Sequence, residues 1–361
     1  MGDFAWFRFR SRFLAPALAL LFTAVSGCGG GGSGSGPTTK ELFVRRSGND
    51  ANGGTSPEDA FRSIARAVRD AVAGQTIIVG PGEYTVPRDL GVDAIEIGDI
   101  AGDGPLTILA NPDGSLTGDQ ERPGEVLVDA RNGNGFGFRV SRSNNVVIDG
   151  FRIERARGAS ESAGIQVRSS SSNVTIRNCE FTRNRDGIRV EASSNVLIFN
   201  NLLFDNNRAV RLRATADARI INNTAVDNGA RGISIGGQST DIVVRNNILQ
   251  DNSNRNIEID SDSVATYDGD FNLVFSTRNN TDPEDTVSPS TILGESAVLG
   301  NASFVDPSPS REDFRLMADS PAIDSGDGTI DSLLLSALFS RTATGDGELD
   351  SPPVDLGYHF P

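Results

Sequence analysis

Arg189 and Arg211 hold the same place in two matching motifs, Gly187-Ile-Arg-Val190 and Ala209-Val-Arg-Leu212, 22 residues apart. Guanidinium groups repeated at a fixed interval suit carboxylates or sulfates that recur along an acidic polymer, since each presents a planar fork of donors. Arg208, Arg213, Arg231 and Arg255 flank the same motif in successive repeats, with Asp186 and Glu191 among them. Residues 131–260 contain 18 Arg against 13 acidic residues, a net of +5, within a chain of formal charge −15. Residues 261–361 contain 4 Arg against 18 acidic residues, a net of −14, so the basic stretch is local. A second account stays open: Lys40 is the one lysine, and an arginine-biased composition would put arginine on every solvated face.

Other chemistries are excluded by composition. His359 is the single histidine, so a histidine-rich zinc site lacks its ligands and a Ser-His-Asp triad would have to be built around that one residue. A single lysine is equally unfavourable for Schiff-base or P-loop chemistry. The net charge argues against a general nucleic-acid partner. Cys179 has no histidine near it in sequence and is expected to be a small buried residue. Two acidic groups are candidate Ca²⁺ ligands: Asp260, Asp262, Asp268 and Asp270, then Asp346, Glu348 and Asp350. Neither completes a twelve-residue calcium loop, and solvated acidic turns are the alternative. Three tyrosines and one tryptophan, Trp6, weigh against a cleft that stacks neutral sugars.

The elements that must position these arginines follow from an internal repeat. Asn145-Val-Val-Ile-Asp-Gly150, Asn173-Val-Thr-Ile-Arg-Asn178, Asn195-Val-Leu-Ile-Phe-Asn200, Asp217-Ala-Arg-Ile-Ile-Asn222 and Asp241-Ile-Val-Val-Arg-Asn246 superimpose, at intervals of 28, 22, 22 and 24 residues. A second column reads Gly164-Ile-Gln-Val167, Gly187-Ile-Arg-Val190, Ala209-Val-Arg-Leu212, Gly232-Ile-Ser-Ile235 and Asn256-Ile-Glu-Ile259. Ile153, Phe181, Leu203, Ala225 and Leu249 form a third. Three short alternating strands per repeat cannot bury their own apolar face, so the units must stack at the ~4.8 Å strand spacing. That predicts an all-β parallel β-helix with Val174, Val196, Ala218 and Ile242 in one vertical file. The middle residue of the second motif then faces outward, giving Gln166, Arg189, Arg211, Ser234 and Glu258. Asn178, Asn200, Asn222 and Asn246 form a corner ladder, because asparagine tolerates the left-handed conformation and stacked amides can bond one another. A leucine-rich repeat has a similar period, but here the apolar positions are mainly Val and Ile and no return helix is legible.

Both ends of such a stack need covers. Ser56-Pro-Glu-Asp59 reads as a helix start, with Phe61, Ile64, Val68 and Val72 on one face and Gly74 as the stop. Residues 276–361 read as a closing segment, with Ser320-Pro-Ala-Ile-Asp324 and Val354-Asp-Leu-Gly-Tyr-His359 as its motifs and His359 in a structural role. At the other end, Arg8, Arg10 and Arg12 precede an apolar run over residues 13–25, too short to span a bilayer. Val25-Ser26-Gly27-Cys28 follows and resembles the lipobox of bacterial lipoproteins, which implies lipidation of Cys28. The expected organisation is a signal peptide (1–27), a Gly/Ser tether (28–39), the β-helix with its N-terminal cap (40–275) and the closing segment (276–361). It implies an extracytoplasmic protein anchored by lipid to a bacterial membrane, at the outer membrane or cell surface.

The N-V-x-I-x-N and G-I-x-V columns are similar to those of the right-handed, pectate-lyase-like β-helix superfamily, over most of residues 40–275. The resemblance implies a single-stranded right-handed parallel β-helix whose Gly-Ile-x-Val sheet carries a sugar-binding cleft. It also implies β-elimination of a uronate, with Arg189 or Arg211 as the base and Ca²⁺ as a cofactor. The sequence departs from the family in three ways. The family's proline-containing arginine motif is missing, Arg208 stands where a polygalacturonase-type aspartate would follow Asp186-Gly187, and the repeat body holds no histidine for an epimerase Asp-His pair. The resulting expectation is a surface-anchored protein that binds, and in one version processes, an acidic polysaccharide. A non-catalytic adhesion scaffold and a uronan lyase are the alternatives.

Overall fold

The computed structural model describes residues 40–86, 94–121, 123–131, 135–278 and 287–361. The expected signal peptide and tether, with Cys28, lie outside these residues.

Among the described residues, three parallel sheets wrap one apolar bore. Sheet A has nine strands, from Glu41–Val44 to Tyr267–Asp270, and includes every N-V-x-I-x-N motif. Sheet B has nine short strands, from Gly82–Thr85 to Val298–Leu299, and sheet C has eight, from Ile95–Gly98 to Val287–Ser288. Each strand pairs with its counterpart one coil away. Val146, Val174, Val196, Ala218 and Ile242 stand in register in sheet A, as do Ile165, Ile188, Val210, Ile233 and Ile257 in sheet C. These side chains are buried, and each Val or Ile among them stabilises by ~1.5–3 kcal/mol before ordering entropy is set against it.

The corner between sheets A and B is tight. Asn178, Asn200, Asn222 and Asn246 all take the left-handed conformation there, with φ of 55°, 52°, 52° and 59°. Their amides bond in pairs, Asn200 to Asn178 at 2.9 Å and Asn246 to Asn222 at 3.3 Å, rather than in the unbroken ladder expected. The unbroken ladder runs through the next residue. The backbone N–H groups of Cys179, Asn201, Asn223 and Asn247 donate in turn to Oδ1 of Asn201, Asn223, Asn247 and Asn272, at 2.9–3.0 Å. A second buried file, Asn184, Asn206, Asn228 and Asn252, does the same at the corner between sheets B and C. Cys179 occupies the first place of its ladder, fully buried, and burial raises its thiol pKa far above the ordinary range.

The N-terminal cover is helix α1, Ile64–Asp70. It starts later than the sequence suggests: Ser63, not Ser56, caps it by accepting from the Arg66 N–H at 3.2 Å. Asp50 in turn accepts from the N–H groups of Arg62 and Ser63, both at 2.8 Å. Ile64, Ala67 and Val68 face the bore, whereas Val72 lies beyond the helix and is 51% exposed.

The C-terminal segment lies along the side of the spiral instead of across its end. Phe304, Phe314, Leu316, Leu356 and Tyr358 pack on the outward side chains of sheet B, among them Leu202, Phe204 and Ile248. That second layer explains why strands such as Leu202–Phe204 are apolar on both faces. Val287 and Ile292 instead join the bore at its C-terminal end. Helix α2, Ser332–Leu338, adds Leu338 against Phe199 and Ile221.

Candidate functional site

The arginines collect on the outer face of sheet C. One outward row reads Glu96, Arg139, Gln166, Arg189, Arg211, Ser234 and Glu258 across consecutive strands. Beside it, Asp186, Arg208, Arg231 and Arg255 stand in register at the strand starts, and Glu191 stands opposite Arg213 at the strand ends. The coils approach closely here: a Cβ on Gly187 would lie 2.8 Å from the Ala209 carbonyl and 2.9 Å from the Leu203 side chain. Glycine at that point lets each strand stack without displacing the outward residues that follow.

Asp186 is the centre of the arrangement. Its carboxylate is fully buried and accepts from Arg208 Nη1 at 3.1 Å. Arg189 Nη1 and Arg211 Nη1 approach its other oxygen at 3.7 and 3.9 Å. One carboxylate therefore faces three guanidiniums. Arg189, one of the two candidate bases, is only 5% exposed, and Glu191 (3.0 Å) and Glu161 (3.5 Å) occupy its Nη2. Arg189 is thus turned into the surface and neutralised, a correction to its expected role as a substrate contact. Arg211 is 19% exposed, and among the described residues its only ion-pair contact is the long one to Asp186. Its pKa is lowered, chiefly by burial and next by the charge of Arg189, with Asp186 opposing and Arg208 and Arg213 adding to the fall.

The remaining arginines differ in the same way. Arg231 is bound by Glu258, with Nη2 to Oε1 at 2.9 Å and Nε to the other oxygen, so its charge is already matched. Arg213 is exposed, and Arg255 donates from Nη1 to the Asn254 carbonyl at 3.2 Å. At the N-terminal side of the row, Arg139 donates to Gln166 Oε1 at 3.2 Å, pairs with Glu96 at 3.5 Å and stacks 4.1 Å over Phe136. Arg211 and Arg213, with Arg255 two coils on, are thus the least matched charges of this face; the first two share the single strand Arg208–Arg213 with the Asp186-paired Arg208.

Residues 128–274 match the family described as right handed beta helix region. The fold is the right-handed parallel β-helix. Among solved structures, the pectate lyase Pel9A is 17% identical, covering 82% of this chain and 94% of that one, with a TM-score of 0.45. A rhamnogalacturonan lyase is 14% identical over 88% and 96% of the two chains (TM-score 0.40). A point mutant of the periplasmic alginate epimerase AlgG is 13% identical over 67% and 58% (TM-score 0.41). A search of curated proteins finds no match.

The β-helix does not assemble the expected calcium sites. Among the described residues no group of three or more acidic, His or Cys side chains is placed to hold a metal. Asp268 is clasped by Arg245 at 2.9 and 3.1 Å, while Asp270 accepts from the N–H groups of Phe271 and Ser296. Asp262 accepts from the Ser263 hydroxyl at 3.4 Å, and Asp260 stands beside Gly236. In the second group, Asp346 accepts from the Thr344 hydroxyl and the Glu348 N–H, and Asp350 is buried against His359. His359 Nε2 lies 2.8 Å from Asp350 Oδ2 and Nδ1 lies 3.0 Å from the Gly357 carbonyl, which fits its structural role.

A feature missed in the sequence adjoins sheet C. The loops entering its strands enclose a polar groove of about 680 Å³, lined by Arg157, Arg185, Asp205, Asn207, Asp227 and Arg278. Arg185 and Asn207 immediately precede Asp186 and Arg208, so the groove borders the arginine face. Arg185 and Asn207, like Asp205 and Asp227, recur at the 22-residue interval, whereas Arg157 and Arg278 lie outside that register.

Proposed function

We propose that this β-helix binds an acidic polysaccharide along sheet C, with Arg208, Arg211 and Arg213 gripping carboxylate or sulfate groups and Arg255 extending the face. The observation that carries this reading is the state of Arg211 and Arg213: Arg208 takes the Asp186 carboxylate at 3.1 Å and Glu191 and Glu161 hold Arg189, which leaves Arg211 a 3.9 Å approach to Asp186 and Arg213 exposed. An anionic sugar would match the charge of Arg211 and Arg213, which stand two residues apart on one strand. Binding to an array of uronans and sulfated glycans tests the proposal. Retention should fall at least tenfold with Arg211→Ala combined with Arg213→Ala, and should weaken with salt. Indifference to both changes would leave a non-catalytic scaffold that recognises protein.

The place of Arg211 on the outer face, where Arg189 is turned inward, supports one extension of this reading, a uronan lyase. Neutral Arg211 would take the proton from C5 of a uronate as the C4–O bond breaks, leaving a C4–C5 double bond and a protonated guanidinium. Ultraviolet absorbance from the unsaturated product, lost in Arg211→Lys, is the assay. The proposed location is an extracytoplasmic membrane surface, with lipid on Cys28. Fatty-acid labelling that survives in the wild type and disappears in Cys28→Ser would support it.

A further inference from the structure

A second groove, on a different corner of the spiral, has its own recognition chemistry. It measures about 420 Å³ and opens between sheets A and B, with Leu109, Phe151 and Tyr358 among its apolar walls and Asn178, Glu125 and Glu180 among its polar ones. The C-terminal tail of the chain leads into it. Along that track the corner asparagines read peptide backbone. Asn200 accepts from the His359 N–H at 2.6 Å and returns a bond to the His359 carbonyl at 3.0 Å. Asn246 does the same with Asp327, at 2.7 and 3.3 Å, and Asn222 donates to the Asp355 carbonyl at 3.0 Å.

Asn178 is the next residue of that rail. Its amide donates to Asp149 Oδ1 at 2.7 Å and its oxygen accepts from Asn200 at 2.9 Å. An amide has two N–H groups and its oxygen two lone pairs. By the coil repeat, the N–H and lone pair that hold the His359 peptide on Asn200 are left over on Asn178. Pro361, two residues on from His359, lines the groove beside Asn178 and has no N–H to offer. Glu125, Asp149 and Glu180 line the groove against Arg152 and Arg341, which leaves one carboxylate in excess. Arg152 is shared by Glu125 (3.6 Å), Glu180 (3.3 Å) and Glu312 (2.8 Å), three carboxylates on one guanidinium.

We propose that this groove docks an extended, basic peptide segment of a partner protein, its backbone paired with the Asn178 side chain and its cationic side chain set against Glu125 and Glu180. The site is continuous with the rail that already holds the tail, and its charge is complementary to a lysine or arginine. Burial pushes the Glu180 carboxyl up, Arg152 opposes, and Glu125 and Glu312 push it further, so an incoming cation relieves a repulsion already present. Small apolar residues on either side of the cation suit the walls made by Leu109, Phe151 and Tyr358.

The test uses the full chain and a fluorescein-labelled peptide, acetyl-Gly-Val-Lys-Val-Gly-amide, read by fluorescence anisotropy. The expected result is saturable binding below ~1 mM, weakened about tenfold or more by Glu125→Gln, by Asn178→Ala and by Lys-to-Glu exchange in the peptide. Glu125 is exposed, so its glutamine variant tests charge with the fold intact. Circular dichroism melting checks that the Asn178 variant folds. Three results would overturn the proposal: no binding up to ~1 mM, binding indifferent to both substitutions, or displacement of the peptide by a uronate oligosaccharide. Sedimentation showing self-association that Glu125→Gln abolishes would assign the groove to a second copy and overturn it as well.

Discussion

Asp186→Asn is the most informative single change, because it removes one charge and keeps the shape of the side chain. In the folded protein the carboxylate is wholly buried and faces Arg208 at 3.1 Å, Arg189 at 3.7 Å and Arg211 at 3.9 Å. Opposite charges ~4 Å apart attract by ~4 kcal/mol at an effective dielectric of ~20. Much of that attraction offsets the desolvation of the carboxylate, but removing the charge leaves the guanidiniums facing one another. Breaking a buried pair in this way costs ~3–5 kcal/mol. The loss should be local, since each coil of a solenoid depends on its neighbours. Hydrogen exchange should quicken first in the strands Asp186–Glu191 and Arg208–Arg213, and the urea midpoint should fall. Adding Arg189→Gln should recover part of the loss, with a coupling of ~0.5–3 kcal/mol. A loss below ~1 kcal/mol for Asp186→Asn, or no coupling with Arg189→Gln, would refute the idea that this carboxylate holds the arginine face together.

Four further outcomes follow from the same structure. Asn223→Ala removes side-chain bonds to the carbonyls of Ile198 and Ile221 and to Asn247, and should destabilise the protein by ~3 kcal/mol or more in urea unfolding. Cys179 should resist iodoacetamide in the native state, because its thiol is buried with a raised pKa. Cys179→Asn should be tolerated or stabilise by ~1 kcal/mol, since its amide would meet the carbonyls of Ile148 and Arg177 that the thiol now faces; a loss of more than ~2 kcal/mol would count against the ladder. Burial lifts the Asp355 carboxyl to about 6, with the Asp324 N–H opposing and Asp350 adding to the rise. The folded state therefore holds this proton more tightly than the unfolded chain. Its contribution is complete below the unfolded value and is lost as pH rises through about 6, by at most ~3 kcal/mol before solvent screening. Asp355→Asn should flatten the fall in stability between about pH 4 and 6, measured by urea midpoints; an unchanged profile would assign that dependence elsewhere.

The spiral itself was legible in the sequence because its information is local. Val and Ile alternate within strands of three to six residues, and the same three motifs recur within 22 to 28 residues, so stacking is the one arrangement that buries them all. The vertical files and the outward arginine row follow from that alone. The Asn-Asn doublets at 200–201, 222–223 and 246–247 were also in plain sight, yet which member faces inward depends on where the corner bends. Contacts between distant segments needed the tertiary structure. Arg189 is neutralised by Glu161 from a neighbouring loop and Arg231 by Glu258 from the next coil, while Arg211 and Arg213 keep their charge. Nothing in the repeat distinguishes these arginines, because a strand motif records which way a side chain points and not which carboxylate a loop will bring to meet it. The calcium candidates failed for the same reason: Arg245 clasps Asp268 across coils, and His359 draws Asp350 inward. Sequence periodicity fixed the spiral and the direction each side chain faces, whereas the remaining charge was decided by pairings that exist only once the coils and their flanking segment are packed together.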